Sequence, residues 1–210
     1  MRSSAASDVY KRQIWNGTPN EFLIKCAELT RTGVGLPAYY NDEVIIPALM
    51  SRGVTLADAR EYGIIGCVEP QKPFKTDGWH DAAFFNMCRP LELVFSNGVD
   101  KGAQISIKTG NVEDMTTFEE FYNAYKAQET YMIGLMVNAI NAIDTAHSER
   151  VPLPFLSCMV EDCVKEGKTV QEGGAHYNFT GPQGFGIANM ADGLWAVKTL
   201  VSVSYTHLRA

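Results

Sequence analysis

Apolar and polar positions alternate along this chain in blocks that predict a helix-rich α/β protein. Asn20 can cap a helix whose apolar face carries Phe22, Leu23, Cys26, Ala27 and Leu29, with Gly33 as its stop. A loop or short strand over residues 35–42 leads into a second helix that runs to about Gly53, with Val44, Ile45, Ala48 and Leu49 turned inward. Thr55 caps a short helix through Tyr62. The apolar run Gly63-Ile64-Ile65 reads as a buried strand ending in a loop that Pro70 closes. Turn formers fill residues 71–78, and Trp79 to Asn97 predicts a third long helix, kinked at Pro90.

Residues 97–111 are rich in turn formers and predict one short edge strand at 104–107. Thr116 or Thr117 then opens a long core helix, because apolar residues recur at spacings of three and four from Phe118 to Ile143. The segment from Phe155 to Lys165 continues as helix, and Ile187 to Leu200 makes the last one. Between them, Gly181-Pro182-Gln183-Gly184-Phe185-Gly186 resembles a phosphate loop only superficially. It lacks the Lys-Ser/Thr of that loop and the dinucleotide-binding spacing, which excludes nucleotide binding; the glycines instead let backbone approach closely.

Charge narrows the function classes. The 210 residues carry 18 basic and 24 acidic side chains and a net charge of −6, with no basic patch, which argues against nucleic acid as a partner. Five cysteines without metal-ligand spacing suit a reducing cytoplasm better than a disulfide framework. No run of 18 apolar residues is present, so no segment reads as a membrane span. Asp144 and His147 lie one helical turn apart, but two such residues do not make a metal site, and Cys26, Cys88, Cys158 and Cys163 fall on apolar faces as packing residues.

The chemistry concentrates in Gly66-Cys67-Val68-Glu69-Pro70. On an extended backbone, side chains two apart share a side, so Cys67 and Glu69 would face one pocket, with Val68 behind them. Taken alone, the pair reads equally as a core cysteine beside a loop glutamate. Further on, His80 and Asp81 fall where the loop meets the predicted helix, and Asp81 could serve simply as an N-terminal helix acid.

The longer context weights these readings. Gly66-Cys67-Val68-Glu69-Pro70, preceded by Asp58-Ala59-Arg60-Glu61-Tyr62-Gly63 and followed by Asn178-Phe179-Thr180-Gly181-Pro182-Gln183, resembles the glycyl radical enzymes of the pyruvate formate-lyase superfamily. The resemblance runs from Ile14 to Val201. It implies a piece of a ten-stranded α/β barrel in which Cys67 becomes a thiyl radical and Glu69 a general base. The single cysteine before Val68 resembles the eliminating branch, since pyruvate formate-lyase itself carries two adjacent cysteines there. The resemblance further implies that Asp81, fourteen residues after Cys67, binds substrate hydroxyls as in the glycerol and propanediol dehydratases, with His80 as a weaker candidate beside it. Where hydroxyproline dehydratase has a tyrosine, this chain has Ala83.

By the same resemblance, the function expected is elimination of water from a small 1,2-diol such as glycerol or propane-1,2-diol. Isethionate sulfite-lyase, choline lyase and formate acetyltransferase types are the alternatives, and the isolated chain, without the radical glycine, is expected to be inactive. No cofactor is expected to bind directly; the radical belongs to a glycine in an Arg-Val-x-Gly-Tyr loop that is absent here. An activating enzyme with S-adenosylmethionine and an iron-sulfur cluster would install it. A homodimer located in the cytoplasm or a bacterial microcompartment is the implied state of the full-length protein.

The two ends have a different origin in this reading. Asp8-Val9-Tyr10-Lys11-Arg12-Gln13 is the translation of a transposase adaptor used for sequencing libraries, and Val203-Ser204-Tyr205-Thr206-His207-Leu208 is a translation of its reverse complement. Residues 1–13 and 202–210 are therefore expected to be non-native, with a partial barrel domain at 14–201. Without those flanks the charged residues become 14 basic and 23 acidic, or −9.

Overall fold

A computed structural model describes residues 11–34, 37–66 and 68–202. In chain order the strands are β1 Lys11–Ile14, β2 Ala38–Asn41, β3 Gly63–Ile65, β4 Glu69–Gln71, β5 Thr76–Asn86, β6 Val99–Asp100, β7 Ala103–Gln104 and β8 Tyr177–Phe185. The helices are α1 Asn20–Leu29, α2 Asp42–Ser51, α3 Leu56–Ala59, α4 Cys88–Phe95, α5 Phe118–Arg150, α6 Pro154–Ser157, α7 Cys163–Glu166 and α8 Ile187–Ser202. The fold is helix-rich α/β, as the periodicity predicts. It divides into two compact units, one taking the described residues up to Gly78 with Pro154–Asn178, the other Trp79–Leu153 with the described residues from Phe179.

In the first unit, β1 pairs with β2 in parallel, so Lys11, Arg12 and Gln13, which the sequence reading leaves out of the fold, contribute a strand. Asn41 caps α2 by accepting from the Glu43 N–H at 3.1 Å, and Asp42 and Glu43 place negative charge in its first turn. The helix is shallower than its periodicity predicts. Leu49 is buried, but Val44 is 63% exposed and Ala48 is exposed too. Thr55 caps α3 as expected, accepting from the Asp58 N–H at 3.2 Å.

Asp58 anchors this unit. Its carboxylate accepts from the Tyr177 hydroxyl at 2.7 Å and the Thr55 hydroxyl at 3.1 Å, and Lys75 Nζ lies 3.2 Å away. Tyr177 in turn accepts from the Thr55 N–H, so residues more than a hundred positions apart close one network. The Tyr177 hydrogen bond is the largest influence holding the Asp58 carboxyl below its ordinary range.

In the second unit, α4, α5 and α8 pack together around Val94, Val112, Phe121, Ala124, Tyr125 and Val197. Thr117 and Glu120 form a reciprocal capping box at the start of α5, which fixes where the 33-residue helix begins. The N–H groups of Thr116 and Thr117 hold the Glu120 carboxyl below its usual range. Gln128 is fully buried on α5 and satisfied, its amide donating to the Ile107 carbonyl at 2.8 Å and Thr109 at 3.1 Å while it accepts from Ser106. Farther along, Ile140 is buried, yet Leu135 and Ile143 are each 44% exposed, so the apolar stripe expected to be core is only partly covered.

Several elements differ from the sequence reading; the edge strand expected at 104–107 is only the two-residue β7, with residues 105–107 outside it. Trp79 to Asn86 belongs to β5, not to a helix: a continuous apolar run at Ala82-Ala83-Phe84-Phe85 has no period of its own, and pairing with β8 decides its conformation. The helix begins only at Cys88, so Pro90 sits in its first turn, where a missing N–H costs nothing, and it produces no kink. The glycine-rich segment after Ala175 is the strand β8, and Phe155 to Lys165 breaks into α6 and α7 around Asp162, which has φ +72°.

Candidate active site

The motif at residues 66–70 forms a hairpin. Strands β3 and β4 are antiparallel, with Ile65 opposite Glu69, Ile64 opposite Pro70 and Gly63 opposite Gln71. The chain thus reverses between Ile65 and Glu69. The shared side expected of Cys67 and Glu69 on an extended strand depends on the placement of Cys67. Cys67 itself lies outside the described residues. The approach to the turn is also less buried than expected, Ile65 being 46% exposed.

Glu69 heads the return strand and is buried, with 7% of its surface exposed. Its Oε2 accepts from the Val68 N–H at 2.9 Å. Gly66 is explained by the same carboxylate. A side-chain carbon at position 66 would come within 2.7 Å of Glu69 Oε2, and the backbone there has φ +57°, a conformation that favours glycine. Gly66 and Glu69 therefore form one local arrangement, in which an absent side chain makes room for an acid.

His80 and Asp81 belong to the second unit, on β5. Near its end, the Met87 N–H donates to the Phe185 carbonyl at 3.0 Å, and Gly181 of β8 lies against His80; residue numbers rise together, so the strands are parallel. A side-chain carbon on Gly181 would lie 2.9 Å from His80 Nδ1 and 3.3 Å from its Cα. Asp81 is exposed, has φ +60°, and accepts a hydrogen bond from the Gln183 amide. Because β5 is a strand, Asp81 is not the helix N-terminal acid that its position suggested.

Sequence reasoning quotes Gln183 only as part of a motif and gives it no role. Its signal lay in the extended character of Tyr177 to Phe185, which the glycines obscured. His147 packs edge-on against Trp79, ring centres 5.2 Å apart. Among the described residues, Glu161, Asp162 and His176 bring metal-ligand atoms within 4.8 Å of one another. Lys75 and Lys165 lie 3.6 Å from two of these carboxylates, and His176 Nδ1 is 2.6 Å from Asp162 Oδ2, so the acids already have cationic or hydrogen-bonding partners. The His176 contact is the main influence lowering the Asp162 pKa. No helix among the described residues is long and apolar enough to cross a membrane.

Known proteins place these features in a family. Residues 10–206 match the family described as pyruvate formate lyase-like. A solved structure on 1,2-propanediol dehydration in Roseburia inulinivorans is 66% identical, with a TM-score of 0.82 over 91% of this chain and 24% of that one. The glycerol-bound form of the B12-independent glycerol dehydratase from Clostridium butyricum is 63% identical, again with a TM-score of 0.82 over the same shares. A curated relative, (2S)-3-sulfopropanediol dehydratase of Klebsiella oxytoca, is 40% identical over 186 residues, 88% of this chain and 22% of the relative. The chain spans about a quarter of the length of these proteins. By the match over nearly its whole length, the chain belongs to the pyruvate formate lyase-like family.

Proposed function

We propose that this chain is the part of a radical diol dehydratase that carries the hydrogen-abstracting cysteine, the general base and one substrate-binding acid. The observation that carries this reading is the identity of 66% and 63%, over 91% of the chain, to a protein of 1,2-propanediol dehydration and to a B12-independent glycerol dehydratase. Loss of hydroxide from an unactivated carbon is slow, and a radical on the neighbouring carbon removes that obstacle. A glycyl radical elsewhere in the full-length protein, installed by an activating enzyme, supplies the unpaired electron.

Cys67 as thiyl takes a hydrogen atom from the carbinol carbon and becomes a thiol. Glu69 takes the proton of the hydroxyl on that carbon, and the resulting ketyl expels the adjacent hydroxyl, which leaves as water with the proton that Glu69 returns. The carbon radical then recovers its hydrogen atom from Cys67, giving an aldehyde and restoring the thiyl. A diol becomes an aldehyde plus water, with no net change in the protein. Asp81, with His80 beside it on β5, accepts the substrate's hydroxyl hydrogen bonds. Burial of Glu69 suits a base that must exchange a proton with substrate and not with bulk water.

The test uses the full-length protein, recovered by sequencing outward from residues 14 and 201 and activated anaerobically. Glycerol and propane-1,2-diol should each yield an aldehyde, and Cys67→Ser should yield none. Turnover by Cys67→Ser would overturn the mechanism. Turnover of (2S)-3-sulfopropanediol alone would keep the mechanism and replace the substrate.

A further inference from the structure

We propose that Gln183 is a positioning residue that aims Asp81 at the substrate; this rests on the reading of Asp81 as a substrate-binding acid. Three observations converge on it. Asp81 is the sole non-glycine residue among the described strands with a positive φ, at +60°. Neighbouring residues on a regular strand point to opposite faces, and this backbone angle breaks the alternation. His80 and Asp81 consequently both meet residues on one face of β8, Gly181 against His80 and Gln183 against Asp81.

The second observation is the spacing of the strands. With no side chain at Gly181, β8 can approach His80 closely, and residue 183, two positions on, shares the face of residue 181. The third is the hydrogen bond itself. A carboxylate can only accept, so the Gln183 amide nitrogen is the group that faces Asp81 Oδ1. A neutral donor fixes one oxygen without consuming the negative charge, and leaves Oδ2 to accept from a substrate hydroxyl. A lysine or arginine in the same place would bind the acid as a closed ion pair. Glutamine orients it and keeps it available.

Glycerol binding to the full-length protein, purified without radical installation, tests this by calorimetry and needs no turnover. Gln183→Ala and Asp81→Ala should each weaken the dissociation constant about tenfold, the equivalent of ~1.4 kcal/mol. The double variant should bind no more weakly than Asp81→Ala alone. An equal further loss from Gln183→Ala in the Asp81→Ala background would overturn the positioning role while leaving Asp81 as a ligand for substrate. Unchanged binding by Asp81→Ala would overturn both. Gln183→Met, similar in volume, replaces Gln183→Ala if that variant fails to fold. Gln183→Glu adds a readout that a purely structural role would not move. Two facing carboxylates share one proton, so affinity should be retained while that proton is held and fall as pH rises and it is lost, a loss that the neutral amide of the original protein cannot produce. A flat profile for Gln183→Glu would also overturn the proposal.

Discussion

Asp58 and Asp81 are the same residue type in opposite circumstances. Asp58 is 8% exposed and surrounded by donors: the hydroxyls of Tyr177 and Thr55, and the Lys75 ammonium. Asp81 is exposed, and its hydrogen bond comes from one neutral amide, that of Gln183. A carboxylate offers about four acceptor positions; among the described residues the first receives three donors inside its own unit and the second receives one. The difference teaches how to separate a structural acid from a working one. Charge and proximity to a motif apply to both, whereas exposure and spare acceptor capacity distinguish Asp81.

Exchanging one substitution between the two sites should give the clearest contrast. In the full-length protein, Asp81→Asn should lower kcat/KM about a hundredfold, the upper range for a hydrogen bond to a charged group, and leave the melting temperature where it was. Asp58→Asn should do the reverse, lowering the melting temperature while activity measured well below it is retained. Steady-state kinetics and calorimetry on the two variants decide the matter, and a loss of activity from Asp58→Asn at low temperature would break the comparison.

Glu69 combines features of both acids, being buried like Asp58 yet sited in the proposed reaction centre. Its position depends on the empty space at Gly66. Gly66→Ala would put a methyl group 2.7 Å from Oε2 at a backbone angle that disfavours alanine, so the acid must shift. We expect kcat to fall about tenfold with KM nearly unchanged, because a displaced base acts on the reaction and not on binding. A rise in KM alone would show that Gly66 serves the substrate pocket instead. Smaller again is Tyr177→Phe, which should lower the melting temperature of the full-length protein by at most about 2 °C, because loss of one hydrogen bond shifts a longer chain less.

How far these sites were legible in the sequence depended on whether each was local. The caps at Thr55 and Thr117 involve residues three apart and were placed at or near their true positions, whereas Asn20, expected to cap α1, is the first residue inside the helix after Pro19, and no side chain caps that helix. The motif around Glu69 was legible because its residues are contiguous, but its hairpin geometry was not, since a turn and a continuing strand need the same glycine. The β5 strand was misjudged because its partner lies about a hundred residues away, and only pairing tells Ala82 to Phe85 that it is not a helix. The Asp58 network and the Gln183 contact failed to appear for the same reason. Each joins an acid to a residue more than a hundred positions distant.

The smallest effect concerns acid. The folded-state pKa of Asp58 lies below its ordinary value of 3.8, with the Tyr177 hydrogen bond the leading cause. A group with a depressed folded pKa binds fewer protons in the folded than in the unfolded state, so the stability it contributes is complete above the unfolded value. That contribution disappears as pH falls from about 4 through the lower folded value. Glu120, Asp162 and Glu172 are shifted in the same direction by their own hydrogen bonds, so the acid limb of the stability curve belongs to several groups. Asp58→Asn should therefore flatten that limb and not abolish it, and Tyr177→Phe should flatten it less, because Lys75 and Thr55 still hold the carboxylate. Asp81→Asn provides the opposite expectation, an unchanged melting temperature at neutral pH, because its exposed carboxylate meets one neutral amide. If Asp81→Asn instead lowered the melting temperature as much as Asp58→Asn, the two aspartates would both be structural, and the distinction drawn from their hydrogen-bond partners would fail.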